Sequence, residues 1–350
     1  MCFYFEQMGY ANPYLDKPES MYSLTLLVIL IGLALLFNFL NGFHDSANVV
    51  ATIISSRAMS SRAALALAAL GDFAGPFIFG MAVAKTIGDQ IAPPRVITIA
   101  VVIAALFSAS LWNIATWRLG IPSSSSHALI GGLIGATAIG AGVSVIRLAG
   151  LEKVGIALFI SPFIGFIVGI LVMRLTMWLA QGATPKANLV FKRLQILTAA
   201  ILALSHGAND GQKTMGVITM GLVTLGFQET FAVPWWAILL SAAAISTGTA
   251  TGGWRIIRTL GGKFYRIRPI HSFTAQLTSG LVILTASLLG GPVSTTQVVS
   301  SSILGVGAAQ RKSQVRWGVL TDIVAAWVLT VPATAIMAAL LYWPINFLIG

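Results

Sequence analysis

Long apolar runs divided by short polar connections set the pattern of this chain. They cover residues 22–40, 63–84, 96–116, 156–179, 194–204, 235–250, 273–289 and 317–341. Several reach the roughly 20 residues that a helix needs to cross about 30 Å of hydrocarbon. The pattern predicts an all-α polytopic membrane protein. Shorter apolar pieces flank the most polar motifs and predict broken or re-entrant helices around a central site, giving about ten to twelve membrane segments.

Two polar stretches interrupt this pattern, and they read as one stretch written twice. The first runs from Asn41 through Gly42, Phe43, His44, Asp45 and Asn48 to Thr52, and the second from Ser205 through His206, Gly207, Asn209, Asp210, Lys213 and Thr214 to Gly216. Laying Gly42 on Gly207 places His44 on Asn209, Asp45 on Asp210 and Asn48 on Lys213. A second pair follows in the same order. Pro122 leads into Ser123, Ser124, Ser125, Ser126 and His127, and Pro292 leads into Val293, Ser294, Thr295, Thr296 and Gln297. A weaker echo sets Lys85-Thr86-Ile87-Gly88 against Arg258-Thr259-Leu260-Gly261. These echoes predict a two-fold repeat, with residues 1–20 as a polar tail, 21–180 as the first repeat, 181–193 as a basic linker and 194–350 as the second. Internal repeats of opposite topology, with a site near the midplane where they meet, characterise secondary transporters.

Composition agrees with the membrane reading. The chain is 57% hydrophobic and 9% charged, against about 25% charged in a soluble domain, and its mean hydropathy is +0.88. Twenty-one Lys and Arg against ten Asp and Glu give a net charge of +11. The basic clusters at 186–193, 255–268 and 311–316 are expected on the cytoplasmic side. No motif interleaves basic and aromatic residues for nucleic acid, so a DNA or RNA partner is not expected. The single cysteine, Cys2, excludes an internal disulfide. No basic segment followed by a short apolar core and small-residue cleavage site marks a removed signal peptide.

Within apolar surroundings stand Asp45, Asp72, Asp210 and Asp322. Intramembrane carboxylates cost several kcal/mol and point to function; the alternative for Asp72 and Asp322, which lack an obvious counterpart, is an interhelical hydrogen bond. On a helix, His44 and Asn48 share a face at i, i+4, while Asp45 with Asn48 and Asp210 with Lys213 are neighbours at i, i+3. Lys213 either neutralises Asp210 or stands where another protein binds a cation. The hydroxyl runs suit a tetrahedral oxyanion, because a helix that starts just after each proline offers free N–H groups and a positive dipole end. Their alternative is close helix packing, of which Gly131 with Gly135 is an instance. His206 is as readily structural as functional. The predicted substrate-binding set is Asp45, Asn48, Ser124, Ser125, Ser126, His127, Asn209, Asp210, Lys213, Thr214, Ser294, Thr295, Thr296 and Gln297. The predicted cation-coupling set is His44, Asp45, Asp72, Asp210 and Asp322. No His/Cys metal spacing, Gly-x-Ser-x-Gly elbow or phosphate-binding Walker loop occurs, so neither an enzyme nor a bound cofactor is expected, and no metal site is assigned.

The duplicated motif, read as Gly42-Phe43-His44-Asp45 and Gly207-Ala208-Asn209-Asp210, together with the two proline–hydroxyl runs and Ala326-Trp327-Val328-Leu329-Thr330-Val331-Pro332, resembles the inorganic phosphate transporter (PiT) family. The variants seen here are similar to those of its bacterial low-affinity permeases. The resemblance implies a homodimeric, multi-pass symporter of the cytoplasmic membrane that imports phosphate with a cation by alternating access. It also implies that Asp45, Asn48, Asn209, Asp210 and both hydroxyl runs line the substrate and cation sites. Animal and archaeal-type members carry Asn where His44 and Lys213 stand, and those amides help to hold sodium. This departure favours proton coupling, or uptake of a neutral metal–phosphate complex, over sodium coupling.

Charge supports coupling independently of the family. Two aspartates, one lysine and a phosphate dianion leave a net negative site that cannot sit dry, and each negative charge moved inward costs about 2.3 kcal/mol per 100 mV. Phosphate near neutral pH keeps an OH that can donate to a carboxylate and sulfate does not, which favours phosphate, although some relatives of this type carry sulfate.

Overall fold

A computed structural model describes residues 21–349, so the polar stretch 1–20 and Cys2 lie outside the described residues. Twelve α-helices are described: α1 (Met21–Ser55), α2 (Ser61–Ile78), α3 (Ala82–Lys85, continuing as a π-helical turn Thr86–Gln90), α4 (Ile99–Leu119), α5 (Ser125–Gly140) and α6 (Leu148–Leu179), then α7 (Ala187–Thr224), α8 (Trp235–Thr251), α9 (Trp254–Gly262), α10 (Pro269–Leu288), α11 (Thr295–Gln310) and α12 (Trp317–Ile349). No strand occurs among them. Helices α1, α4, α6, α7 and α12 are long and apolar enough to span a membrane, and α2 with α3 forms a sixth span bent by 74°. The bend falls at residues 79–81, after Pro76 has removed a donor from the last turn of α2.

Both polar motifs lie inside unbroken helices. Glycine, asparagine and serine in such density weaken helices in water, yet α1 runs straight through 41–52 and α7 through 205–216. Neither stretch contains proline, and Asn48, Asn209 and Lys213 bond to neighbouring helices, while Ser46 and Ser205 bond back to the carbonyls of Phe43 and Ile201. The linker is also shorter than its composition suggests, since α7 begins at Ala187.

The re-entrant elements are two helical hairpins. Gly120, in the left-handed region at φ 67°, ends α4, and Ser124 caps α5 by accepting from the His127 amide at 3.1 Å. Gly290, at φ 71°, follows α10, and Ser294 caps α11 by accepting from the Gln297 amide at 3.3 Å. Each hairpin returns to the end from which it entered. His271 Nε2 lies 2.7 Å from Gln310 Oε1, and Gly140 closes against Val101.

Contacts between α1 and α7 fix their relative direction. Leu30 packs against Gly221, Asn41 meets Asp210, and Ser56 meets Gln195, so the two motif helices are antiparallel. The hairpins accordingly open at opposite ends. Hairpin α10–α11 opens where α1 ends, shown by Gln276 bonding to both Thr52 and Thr198. Contacts made by one half are exchanged in the other: α1 packs on α8 and α7 on α2, while α5 packs on α12 and α11 on α6. The connections holding Arg57, Lys186, Lys263, Arg266, Arg268 and Arg316 gather at the end where α1 finishes and α7 starts, so the basic clusters share one end of the bundle.

Candidate functional site

The two hairpin tips meet at the level of the two motifs. Ser126 Oγ, in the first turn of α5, donates to the Val293 carbonyl just before α11 at 3.0 Å. Two helix N-termini thus converge where α1 and α7 carry their carboxylates, an arrangement suited to anions. Hydroxyls of both runs reach Asp45: Ser125 at 3.2 Å, Thr295 at 3.4 Å and Thr296 at 3.0 Å. Thr295 also lies 3.2 Å from Asp210, so one hydroxyl bridges the carboxylates of the two copies. Asn48 donates to Thr296 at 3.1 Å. Lys213 pairs with Asp210, and its ammonium also donates to Ser126 at 2.5 Å and to the Val293 carbonyl at 3.3 Å.

All of these groups are buried, with Asp210 and Lys213 at 0% exposure. A buried charge is tolerated only when paired and hydrogen-bonded. Asp45 is met by His44 Nδ1 at 2.9 Å, and His44 Nε2 continues to Thr116 at 3.3 Å and on to Ser123 at 2.8 Å. Asp210 is met by His206 Nε2 at 3.4 Å, and His206 Nδ1 lies 2.8 Å from Asp72, which accepts from Thr249 at 2.5 Å. Three carboxylates therefore share one lysine and two histidines.

Asp45, His206 and Asp210 each offer a ligand atom, all within 4.8 Å of one another. Around them the amide oxygens of Asn41, Asn48 and Asn209 are buried without a hydrogen-bond partner. Hard oxygen donors next to carboxylates fit a small cation, and a neutral imidazole adds a nitrogen donor or a proton acceptor.

Most of the residues singled out from the sequence come together here: His44, Asp45, Asn48, Ser125, Ser126, Asp210, Lys213, Thr295 and Thr296. Asn209 lies beside them, donating to Ser287 at 2.9 Å and to the Gly291 carbonyl at 3.2 Å. Thr214 is buried with its hydroxyl unpartnered. Ser124 and Ser294 serve as helix caps. His127 and Gln297 line a separate, largely apolar cavity of about 750 Å³ between α6 and α12. Asp72 enters through His206 rather than directly. Asp322 stays apart, exposed on α12. Two members of the cluster, Asn41 and His206, were left out of the expected set. Their signal was present, since each stands one helical turn before its motif carboxylate.

Residues 41–185 and 180–338 match the family model described as "Phosphate transporter family". The chain belongs to the phosphate transporter family. It is 46% identical over 320 residues to the "Probable low-affinity inorganic phosphate transporter" of Rhizobium meliloti (strain 1021), covering 91% of this chain and 96% of that protein. It is 42% identical over 329 residues to the protein of the same description from Bacillus subtilis (strain 168), covering 93% and 98%. Among solved structures it superposes on "The sodium-dependent phosphate transporter" with a TM-score of 0.86 and 26% identity, covering 92% of this chain and 99% of that one. The family consists of transporters, not enzymes, and this member is a multi-pass membrane protein.

Proposed function

We propose that this chain is a secondary symporter of the cytoplasmic membrane that imports inorganic phosphate by alternating access between two inverted repeats. The observation that carries the reading is the meeting of both hydroxyl-bearing helix N-termini with Asp45 and Asp210 at the crossing of α1 and α7. Phosphate would take the hydroxyls of Ser125, Ser126, Thr295 and Thr296 and the ammonium of Lys213. Those groups now bond to one another and to the carboxylates, so the anion and the carboxylates compete for the same donors. A cation or proton arriving at the carboxylates frees the donors for phosphate, which links the two binding events.

The coupling ion follows from charge. Lys213 supplies one fixed cation beside Asp210, and His44 and His206 supply places for protons on the remaining carboxylates. This favours protons, or a neutral metal–phosphate complex with the metal beside Asp45, His206 and Asp210. Sodium is the second reading, favoured by the unpartnered amide oxygens of Asn41, Asn48 and Asn209 and by the name of the structural relative. Hairpins α4–α5 and α10–α11 are the proposed gates, one opening to each side, in a homodimer. Sulfate is a weaker candidate, because it has no OH to donate to Asp45 or Asp210.

Uptake of labelled phosphate into liposomes containing the purified protein tests the reading, with a sodium gradient, a proton gradient or neither, with divalent metal added or chelated, and with sulfate in excess. Proton-driven or metal-dependent uptake that ignores sulfate is expected. Uptake driven only by sodium would overturn the coupling assignment, and strong inhibition by sulfate would overturn the substrate.

A further inference from the structure

Outside the central site, Lys153 is a part-buried cation with no acidic partner among the described residues. Lys153 lies in the second turn of α6 and is half-buried. Its ammonium turns inward, donating to Thr86 Oγ1 at 3.2 Å and to Gln90 Oε1 at 3.4 Å. Both acceptors are neutral, and among the described residues no carboxylate lies within ion-pair distance of it. Lysines near helix ends ordinarily snorkel to water. This one instead stands at the mouth of a membrane-facing cleft of about 500 Å³ between α6 and α10, whose walls include Ile156, Ile160, Ile164, Leu281 and Leu289.

We propose that this cleft holds an acyl chain of an anionic phospholipid whose phosphate is bound by Lys153. The apolar walls exclude a free hydrated anion as the occupant, while the unmatched ammonium selects a negative headgroup at their rim. Depth agrees: Lys153 lies about 9 Å along the helix from the exposed Arg147, at the end opposite the basic clusters, the end that the positive-inside rule turns to the outer leaflet.

The other half lacks this feature. Laying Arg147 on Arg316, which precede α6 and α12, makes the buried positions coincide: Val154 with Ile323, Leu158 with Trp327, Ser161 with Thr330 and Gly165 with Thr334. The counterpart of Lys153 is then Asp322, a carboxylate that repels a phosphate headgroup. One lipid per chain is therefore expected. The lipid also has a route to the transport machinery. Lys153 donates to Thr86, and Thr86 donates to the Gly290 carbonyl at 2.8 Å, at the tip whose Gly291 and Val293 carbonyls hold Asn209 and Lys213.

The test uses the full-length protein reconstituted in phosphatidylcholine vesicles with or without phosphatidylglycerol, together with native mass spectrometry of the protein purified with phosphatidylglycerol. Wild type is expected to retain one phosphatidylglycerol per chain and to transport faster when that lipid is present. Lys153→Gln should bind it about fivefold more weakly, the factor for the roughly 1 kcal/mol that one basic residue contributes at an anionic surface, and should lose the stimulation. Ile160→Trp, which fills the cleft and keeps the charge, should lose the retained lipid too. Equal retention in both variants and wild type would overturn the proposal. So would a Lys153→Gln protein whose KM for phosphate rises equally in both vesicle types, because Lys153 would then serve free phosphate. A dimer that covers the cleft and retains no lipid would also overturn it. None of these outcomes depends on which ion drives uptake.

Discussion

Asn41 and His206 occupy the same place in the two copies of the motif, and both reach one oxygen, Asp210 Oδ2, at 3.4 Å. The equivalence extends to their surroundings. Gly42 packs against the backbone of Ile245, and Gly207 against the backbone of Asp72, so Asp72 and Ile245 are counterparts as well. The α2–α7 crossing thus carries an Asp72–His206 pair where the equivalent α8–α1 crossing carries Ile245 and Asn41. His44 with Thr116 and Asn209 with Ser287 are a matched pair of contacts, which makes the departure at Asp72 local. The two crossings share a frame but differ in how many charges they can take up.

That difference assigns Asp72 a positioning role through His206. In Asp72→Asn the side chain still reaches Thr249 and His206, so the protein should fold. Without the carboxylate, the charged partner 2.8 Å from His206 Nδ1 is lost, and concentrative uptake driven by a proton gradient should fall by about tenfold or more, the consequence of losing roughly 1.4 kcal/mol at a coupled step. Exchange of labelled for unlabelled phosphate with no gradient should persist. Gradient-driven uptake matching wild type would show that Asp72 is structural.

The carboxylates that touch the hydroxyls act directly. Asp45→Asn and Asp210→Asn should each abolish uptake, and they should differ in stability. Asp210→Asn strands the fully buried Lys213, a loss of about 3–5 kcal/mol, whereas Asp45→Asn keeps its hydroxyl donors and His44. The double variant Asp210→Asn/Lys213→Met should recover the stability and remain inactive. Thermal unfolding in detergent beside liposome uptake separates the two effects, and near-normal uptake in either single variant would remove these carboxylates from the site.

How much of this was legible in the sequence can be judged residue by residue. The doubled carboxylates and hydroxyl runs were visible because buried polar groups are rare in an apolar chain, and a repeat shows them twice. The continuity of α1 and α7 was not visible. Residue type reports intrinsic helix preference, while hydrogen bonds from Thr295, Thr296 and Ser125 come from helices far away in the chain. Asn41 and His206 fell out because they differ in type, although they match in position. Asp322 was grouped with the site carboxylates through hydropathy alone, which cannot say which face of α12 it occupies. Its counterpart Lys153 lies beyond any alignment based on residue identity and emerges only from matched burial.

Lys213 tests the coupling ion. Its ammonium bonds to Asp210, Ser126 and the Val293 carbonyl, a set of oxygens that could equally surround a metal cation. Lys213→Asn supplies an amide oxygen and removes the fixed charge, so sodium should begin to stimulate uptake while proton dependence weakens. The comparison is uptake rate against sodium concentration at constant pH and ionic strength. An unchanged cation profile would mean that Lys213 neutralises Asp210 and does nothing more.

The last prediction concerns the crossings that hold the motif helices at this spacing. A Cβ at Gly42 would overlap the Ile245 carbonyl oxygen, and one at Gly207 would overlap the backbone of Asp72. Both obstacles are main chain and cannot rotate away, so Gly42→Ala and Gly207→Ala should each cost about 1–3 kcal/mol by overpacking. They should also part the pairs Asn41–Asp210 and His206–Asp72, which depend on that close approach. Gly32, on the same helix as Gly42, has nothing within 4 Å of its would-be Cβ, and Gly32→Ala should be neutral or stabilising by about 0.5–1 kcal/mol. Measured together by thermal unfolding and phosphate uptake, the first two should lose both stability and transport and the third neither. Wild-type uptake in Gly207→Ala would show that the α2–α7 crossing tolerates separation, and that the Asp72–His206 contact is not what sets the site.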